Sequence, residues 1–276
     1  MGSIWTIART TVGDSIRRRV ILVFQLVALL MLGLAILLQY YAAGRNELFT
    51  PYQMIIILVF GGMISITTSV FLVPTEIETR TVYGVLSKPV QRSQFFLGKF
   101  LGGLLTTTLM VSVMIGVLII GLAVFIAMPS NPDFASEVNP GTLAQQILAI
   151  IQGGVMILLQ LGVLTALATC LSLVLTPTVN FAMSTFIWIV GSLQWVILAL
   201  ANRNEQGFVL IPWILKSVYY ITPHFEDLNF LAGLTRPEVA PKVSVFTFAS
   251  QISAYHLLYA AIVLLIGVML FEKKEF

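Results

Sequence analysis

Side chains able to do covalent or metal chemistry are few in this sequence, and they are scattered. His224 is followed closely by Glu226 and Asp227. One histidine beside two carboxylates is a poor metal site, because zinc takes three or four well-placed ligands. The only other histidine is His256, so the bland reading of His224 is ordinary surface polarity. Glu76 and Arg80 stand four residues apart, a spacing that makes an ion pair on one helix face. An intramembrane protease acid at Glu76 would need a His-containing helix pair, and the sequence holds none. Cys170 is the single cysteine. It lies in an apolar run and reads as a small packed residue. Gly98-Lys99 is followed by Phe100, and Gly-x-x-x-x-Gly-Lys-Ser/Thr occurs nowhere in the chain, so no loop cradles ATP phosphates. These patterns point away from catalysis and away from a metal or cofactor.

The elements that carry these residues are membrane spans. The chain is 58% hydrophobic and only 10% charged, against about 25% charged in a soluble domain. No charge falls in residues 20–44, 48–75, 100–132 or 138–202. Uncharged apolar runs of about 18 residues or more cross a bilayer as helices, and the last of these runs is long enough for two. Six spans are predicted, at residues 20–41, 52–73, 100–127, 154–175, 181–201 and 254–271. Residues 141–152 are expected as an interfacial helix or an extension of the fourth span, with a break at Gly153-Gly154. Residues 207–221 are apolar around Lys216 but short for a crossing, and are expected as a re-entrant or interfacial helix ending at Pro223. Residues 1–19 are expected as an amphipathic interfacial helix, with Ile4, Trp5, Ala8, Val12 and Ile16 recurring at helical spacing. The fold class is an all-α integral membrane protein, one transmembrane domain over residues 1–276, with an outer segment at 202–253.

The basic residues sit mostly at the ends of apolar runs, where they orient the chain. The net charge of +3 therefore points to a lipid bilayer and not to nucleic acid. With both termini in the cytoplasm of a multi-pass cell-membrane protein, ten of the 15 Lys and Arg lie inside and five outside. The middles of the spans hold no Asp, Glu, Lys, Arg or His, which argues against an ion-coupled transporter. Gln160, Ser192 and Gln194 are the polar residues left there. They are candidates for a cargo path or a helix interface, and interhelical hydrogen bonding is the plainer role.

Residues 76–102 join the second and third spans with about 25 polar, basic residues, where six or fewer would serve as a connector. Pro89 breaks this stretch, and Arg92 and Lys99 are expected to snorkel to the interface. In order, it holds Glu76, Thr81, Leu86-Ser87-Lys88-Pro89-Val90-Gln91-Arg92 and Leu97-Gly98-Lys99. This run resembles the signature of type-2 ABC exporter permeases. There an acidic residue closes the second span, a Leu-Ser-x-Pro-Val-x-Arg turn follows, and Leu-Gly-Lys opens the third. The amphipathic N-terminus, the Ile221-Thr222-Pro223 segment and the charged C-terminal tail look like the same family.

The resemblance implies a homodimer, or a heterodimer with a similar permease. It also implies a separate cytoplasmic ABC ATPase docked on Glu76, Thr81, Leu86, Pro89, Arg92, Gly98 and Lys99. The dimer seam is expected at small residues or at a Trp188/Trp195 face. A membrane scaffold without transport is the rival reading. Topology is open to direct test. Single cysteines at Ser3, Asn131, Asn204 and Lys274, in a Cys170→Ser background, are expected to react with an impermeant reagent only at Asn131 and Asn204. Labelling at Lys274 would instead require a seventh span at residues 207–221.

Overall fold

The computed structural model describes residues 2–41, 46–72, 74, 91–127, 140–203, 210–225 and 245–273. Among the described residues nine helices run in order: α1 (Gly2–Ile16), α2 (Arg19–Tyr41), α3 (Asn46–Val70), α4 (Arg92–Ala127), α5 (Pro140–Leu171), α6 (Pro177–Ser192), α7 (Gln194–Arg203), α8 (Leu210–Ile221) and α9 (Val245–Lys273). The described residues form an all-α membrane protein. Among the described residues, five helices are each long and apolar enough to cross a bilayer. The pair α6 and α7, bent by 65° at Leu193, passes the same test only when taken together, as a sixth crossing broken midway or as a re-entrant pair. The fifth span is therefore not the single helix expected. Residues 141–152 extend the fourth span, one of the two arrangements expected, because α5 is continuous from Pro140 and does not break at Gly153-Gly154. Gly154 faces the Ile115 side chain, so this glycine serves helix packing.

α3 lies at the centre, enclosed by α2, α4, α5 and α6. Ile57, Ile64, Val111, Met114, Leu161 and Leu164 fill the shared core. Close approach is set by glycine. A Cβ on Gly62 would lie 2.5 Å from the Trp188 ring, and one on Gly61 would lie 2.8 Å from Leu161. Trp188 is thus buried against α3 and cannot belong to an exposed dimer seam, while Trp195, beyond the bend, is exposed. Hydroxyls stitch the same contacts. Ser65 Oγ and Thr165 Oγ1 are 2.8 Å apart between α3 and α5. Fully buried Asn180 donates through Nδ2 to the Ala168 carbonyl at 3.0 Å and accepts from Ser184 Oγ, fixing the start of α6 on α5.

α1 runs alongside the first turns of α4 in register, with Ser3 on Gln94, Ile7 on Gly98 and Thr11 on Gly102. Both glycines are required, since a Cβ would meet Ile7 at 2.9 Å or Thr11 at 2.5 Å, with α1 backbone oxygens close behind. The buried face of α1 is Ala8, Thr11 and Ser15, while Trp5 is 62% exposed. Trp5 of the apolar stripe is thus left facing outward, and the packed face is a different one. Small residues face the neighbouring helix because they permit the closest backbone approach, and large apolar ones lose nothing by facing lipid. Gly102→Leu is expected to lever α1 off α4 at a cost of about 1–3 kcal/mol, as overpacking does. A disulfide between Ser3→Cys and Gln94→Cys, in a Cys170→Ser background, should form readily with Gly102 present and severalfold less with leucine there.

Candidate functional site

α4 begins at Arg92, at one end of the bundle where five helices gather. Phe95 and Phe96 in the first turn of α4 pack with Leu72 after α3, Leu173 after α5, and Phe271 near the end of α9. Ile7 of α1 closes the cluster. The Phe95 and Phe271 rings stack at 5.7 Å and 14°, and Phe96 lies 6.1 Å from Phe271. Phe96 also sits against Gly267, where a Cβ would lie 2.5 Å from the ring. Stacked aromatic pairs contribute about 0.5–1.5 kcal/mol beyond their area.

Arg92 opens α4 and is exposed at the rim of this cluster. Its Nη1 donates to the Glu272 carbonyl at 3.2 Å, which joins the start of α4 to the end of α9. A cation at a helix C-terminus is placed well against the carbonyl dipoles there. Lys99 is only 5% exposed, with Nζ 5.8 Å from the Phe95 ring centre. It is therefore turned inward and does not snorkel as expected, because α4 starts at Arg92 and carries Lys99 into the packed turns shared with α1. Arg18 lies over the Phe71 ring at 5.6 Å, adding a link between the α1–α2 junction and the end of α3. Of the candidate docking residues, this end brings together Arg92, Gly98 and Lys99. Gly98 serves as the seat of α1. Glu76, Thr81, Leu86 and Pro89 lie outside the described residues, as does the pair of Glu76 with Arg80.

A second arrangement lies farther along α9, where the chain leaves α8. Side chains from α7 and α9 reach the four consecutive carbonyls of residues 221–224, and Pro223 O also takes the Phe225 N–H at 3.0 Å. Tyr259 donates to Ile221 at 3.1 Å. Gln194 Nε2 donates to Thr222 O at 3.1 Å, to Thr222 Oγ1 at 2.7 Å, and to Pro223 O at 3.4 Å. His256 Nε2 lies 3.0 Å from His224 O, and its Nδ1 lies 2.8 Å from Ile252 O. His224 Nδ1 is 3.0 Å from the Tyr255 hydroxyl and its ring stands edge-on to Tyr219 at 4.6 Å. Phe225 and the Pro223 carbonyl rest on Gly191.

The candidate path residues resolve into distinct roles. Gln194 bonds across to the return after α8. Ser192 donates to Trp188 O within its own helix at 2.8 Å. Gln160 is buried on α5. The reading of His224 as surface polarity is replaced by this network, in which His224 is half-buried and His256 is fully buried. Sequence reasoning missed His256, Tyr255, Tyr259 and the Phe95–Phe96–Phe271 cluster. The available signal was the polar triplet Tyr255, His256 and Tyr259 inside an apolar segment, and two adjacent phenylalanines opening a span. Among the described residues no group of His, Cys, Asp or Glu is arranged to hold a metal.

A family model described as "ABC-2 family transporter protein" matches residues 5–276. No curated protein matches the chain.

Gln194→Leu would leave the Thr222 carbonyl without this donor, and a buried unsatisfied group costs about 1–3 kcal/mol, while Pro223 O keeps the Phe225 N–H at 3.0 Å. Hydrogen exchange over residues 210–225 is expected to rise sharply in that variant. Exchange in α3 and α5 should stay unchanged.

Proposed function

The chain belongs to the ABC-2 transporter family, and on that premise we propose that it is the permease of an ATP-driven exporter powered by a separate ATPase docked at the Arg92 end of the bundle. As a member of that family it is a membrane component of a transporter. The finer reading adds export as the direction, residues 76–102 as the docking segment, and a dimer of this chain or of this chain with a similar permease.

The observation that carries the docking site is the convergence at Arg92. The arginine opens α4, bonds to the Glu272 carbonyl of α9, and borders the aromatic cluster shared by α1, α3, α4, α5 and α9. A partner pressing on the segment that precedes Arg92 therefore loads five elements at once. No covalent chemistry by this chain enters the cycle. The ATPase changes shape on nucleotide binding, and the permease follows because its two access states bind the two ATPase shapes with different free energies. The ordered likeness of residues 76–102 to exporter permeases supports outward transport. The split of ten Lys and Arg inside against five outside supports both termini in the cytoplasm, on the same side as that segment.

Arg92→Glu removes the donor to Glu272 and reverses a charge at the proposed contact, where a desolvated mismatch costs several kcal/mol. The variant and Glu76→Ala are expected to insert and assemble normally, yet to lose most co-purification of the ATPase co-expressed with the permease. Arg92→Lys should retain part of it, since lysine keeps the charge but not the planar fork. ATPase recovery at the parent level in both Arg92→Glu and Glu76→Ala would dismiss the docking role and favour a scaffold.

A further inference from the structure

The register of α1 on α4 leaves an open groove on one flank. It holds about 650 Å³ and is lined by Trp5, Arg9 and Val12 of α1 and by Leu105, Thr108, Leu109, Ser112 and Val113 of α4. Its walls are apolar almost throughout. Thr108 turns its hydroxyl back to the Leu104 carbonyl at 2.8 Å, which presents its methyl group to the groove. Leu109 and Val113 are exposed along it. From Leu105 to Val113 the groove runs about 12 Å along α4.

The single charge on this lining is Arg9, and it is exposed. Among the described residues no carboxylate lies within ion-pair distance of it. It stands beside the first turns of α4, at the end of the bundle that also carries Arg17, Arg18, Arg19, Arg92 and Lys99. Basic residues gather where a membrane protein meets lipid headgroups, and Trp5 at the mouth is the amphipathic ring expected at that depth. A cation at headgroup level and an apolar channel leading from it toward the bilayer interior match the two parts of one molecule.

We propose that the groove between α1 and α4 is a binding site for one anionic glycerophospholipid, with its phosphate at Arg9 and an acyl chain against Leu105, Leu109 and Val113. The lipid would fill the flank that glycine packing cannot close. It would hold α1 in register on α4 in membranes of sufficient negative charge. The site is independent of cargo and of the docked ATPase, so it stands or falls separately from the transport reading.

Trp5 supplies the probe. The purified full-length protein is reconstituted in phosphatidylcholine vesicles containing a graded fraction of brominated phosphatidylglycerol or, in parallel, brominated phosphatidylcholine. The Trp5 signal is taken as the difference between the parent and Trp5→Phe. Half-maximal quenching is expected at about fivefold lower mole fraction of the anionic lipid, the preference that one basic residue near a membrane surface confers. Arg9→Gln should abolish that preference while leaving quenching by both lipids. Ser112→Phe, which places a ring in the groove from an exposed position, should weaken quenching by both. Equal quenching by the two lipids in the parent would overturn the proposal, as would a preference that survives Arg9→Gln. Trp5 protected from both lipids would also overturn it, and would show the groove covered by protein such as a second copy of this chain. Recovery of α1 contact is read separately from the Ser3→Cys/Gln94→Cys disulfide in the same vesicles. Its yield should rise with the anionic lipid fraction, and no dependence would remove the stabilising role.

Discussion

Apolar side chains gain nothing by leaving lipid for one another, and this constraint shapes the whole bundle. A soluble helix bundle is driven together by burial of its apolar faces. Here that drive is absent, and large apolar residues such as Leu30, Phe186 and Leu265 stay exposed on the outside. What holds the helices is close approach at small residues, together with hydroxyl and amide bonds between helices. Gly62 seats Trp188, Gly98 and Gly102 seat α1, Gly191 seats Phe225, and Gly267 seats Phe96. At each of these positions a Cβ would lie within 3.0 Å of the partner. Ser65 with Thr165, and Asn180 with Ala168 and Ser184, add polar links where water cannot compete. Such bonds are worth about 0.6 kcal/mol each in comparable bundles, so the fold depends on many of them acting together.

The same constraint decides what the sequence could reveal. Helical class and the position of most spans were legible because length and hydropathy are properties of single segments, and residues 20–41 match α2 closely. The resemblance of residues 76–102 gave the family. Packing faces were not legible. The stripe through Trp5 and Val12 has helical periodicity, but periodicity reports burial in soluble proteins, and in lipid the apolar stripe and the packed stripe separate. Ala8, Thr11 and Ser15 pack, and Trp5 does not. No proline or charge marks the bend at Leu193. The local signal was Gly191-Ser192 just ahead of it, where Ser192 Oγ bonds back to the Trp188 carbonyl.

The return after α8 shows how irregular backbone beside the bundle is satisfied. Backbone carbonyls freed from a helix in a membrane must be satisfied internally. Four consecutive carbonyls close α8 and its return, and Gln194, His256 and Tyr259 serve them from two directions, with the Phe225 N–H also on Pro223 O. This explains three polar side chains in segments otherwise chosen for hydrophobicity. Gln194 is the first residue past the break. The residue that begins the new helix is also the one that fastens the returning chain.

α9 then acquires a role that its peripheral position would not suggest. One end is fixed to α4 through Phe271 and the Glu272 carbonyl. Fifteen residues earlier, about 22 Å along the helix axis, His256 holds the return beside the bent pair α6 and α7. A continuous helix between these points bends little over such a length. Movement of the Arg92 end relative to α3 must therefore be taken up by sliding of α9 on α4 and α5, or by displacement of the return. Sliding is opposed at Gly267, where the Phe96 ring fills the only space that a shifted side chain would need. The return is held by hydrogen bonds that can be exchanged one at a time, and of the two it is the softer. In the proposed cycle, a push at the Arg92 end would reach the return through α9, beside the bent pair α6 and α7.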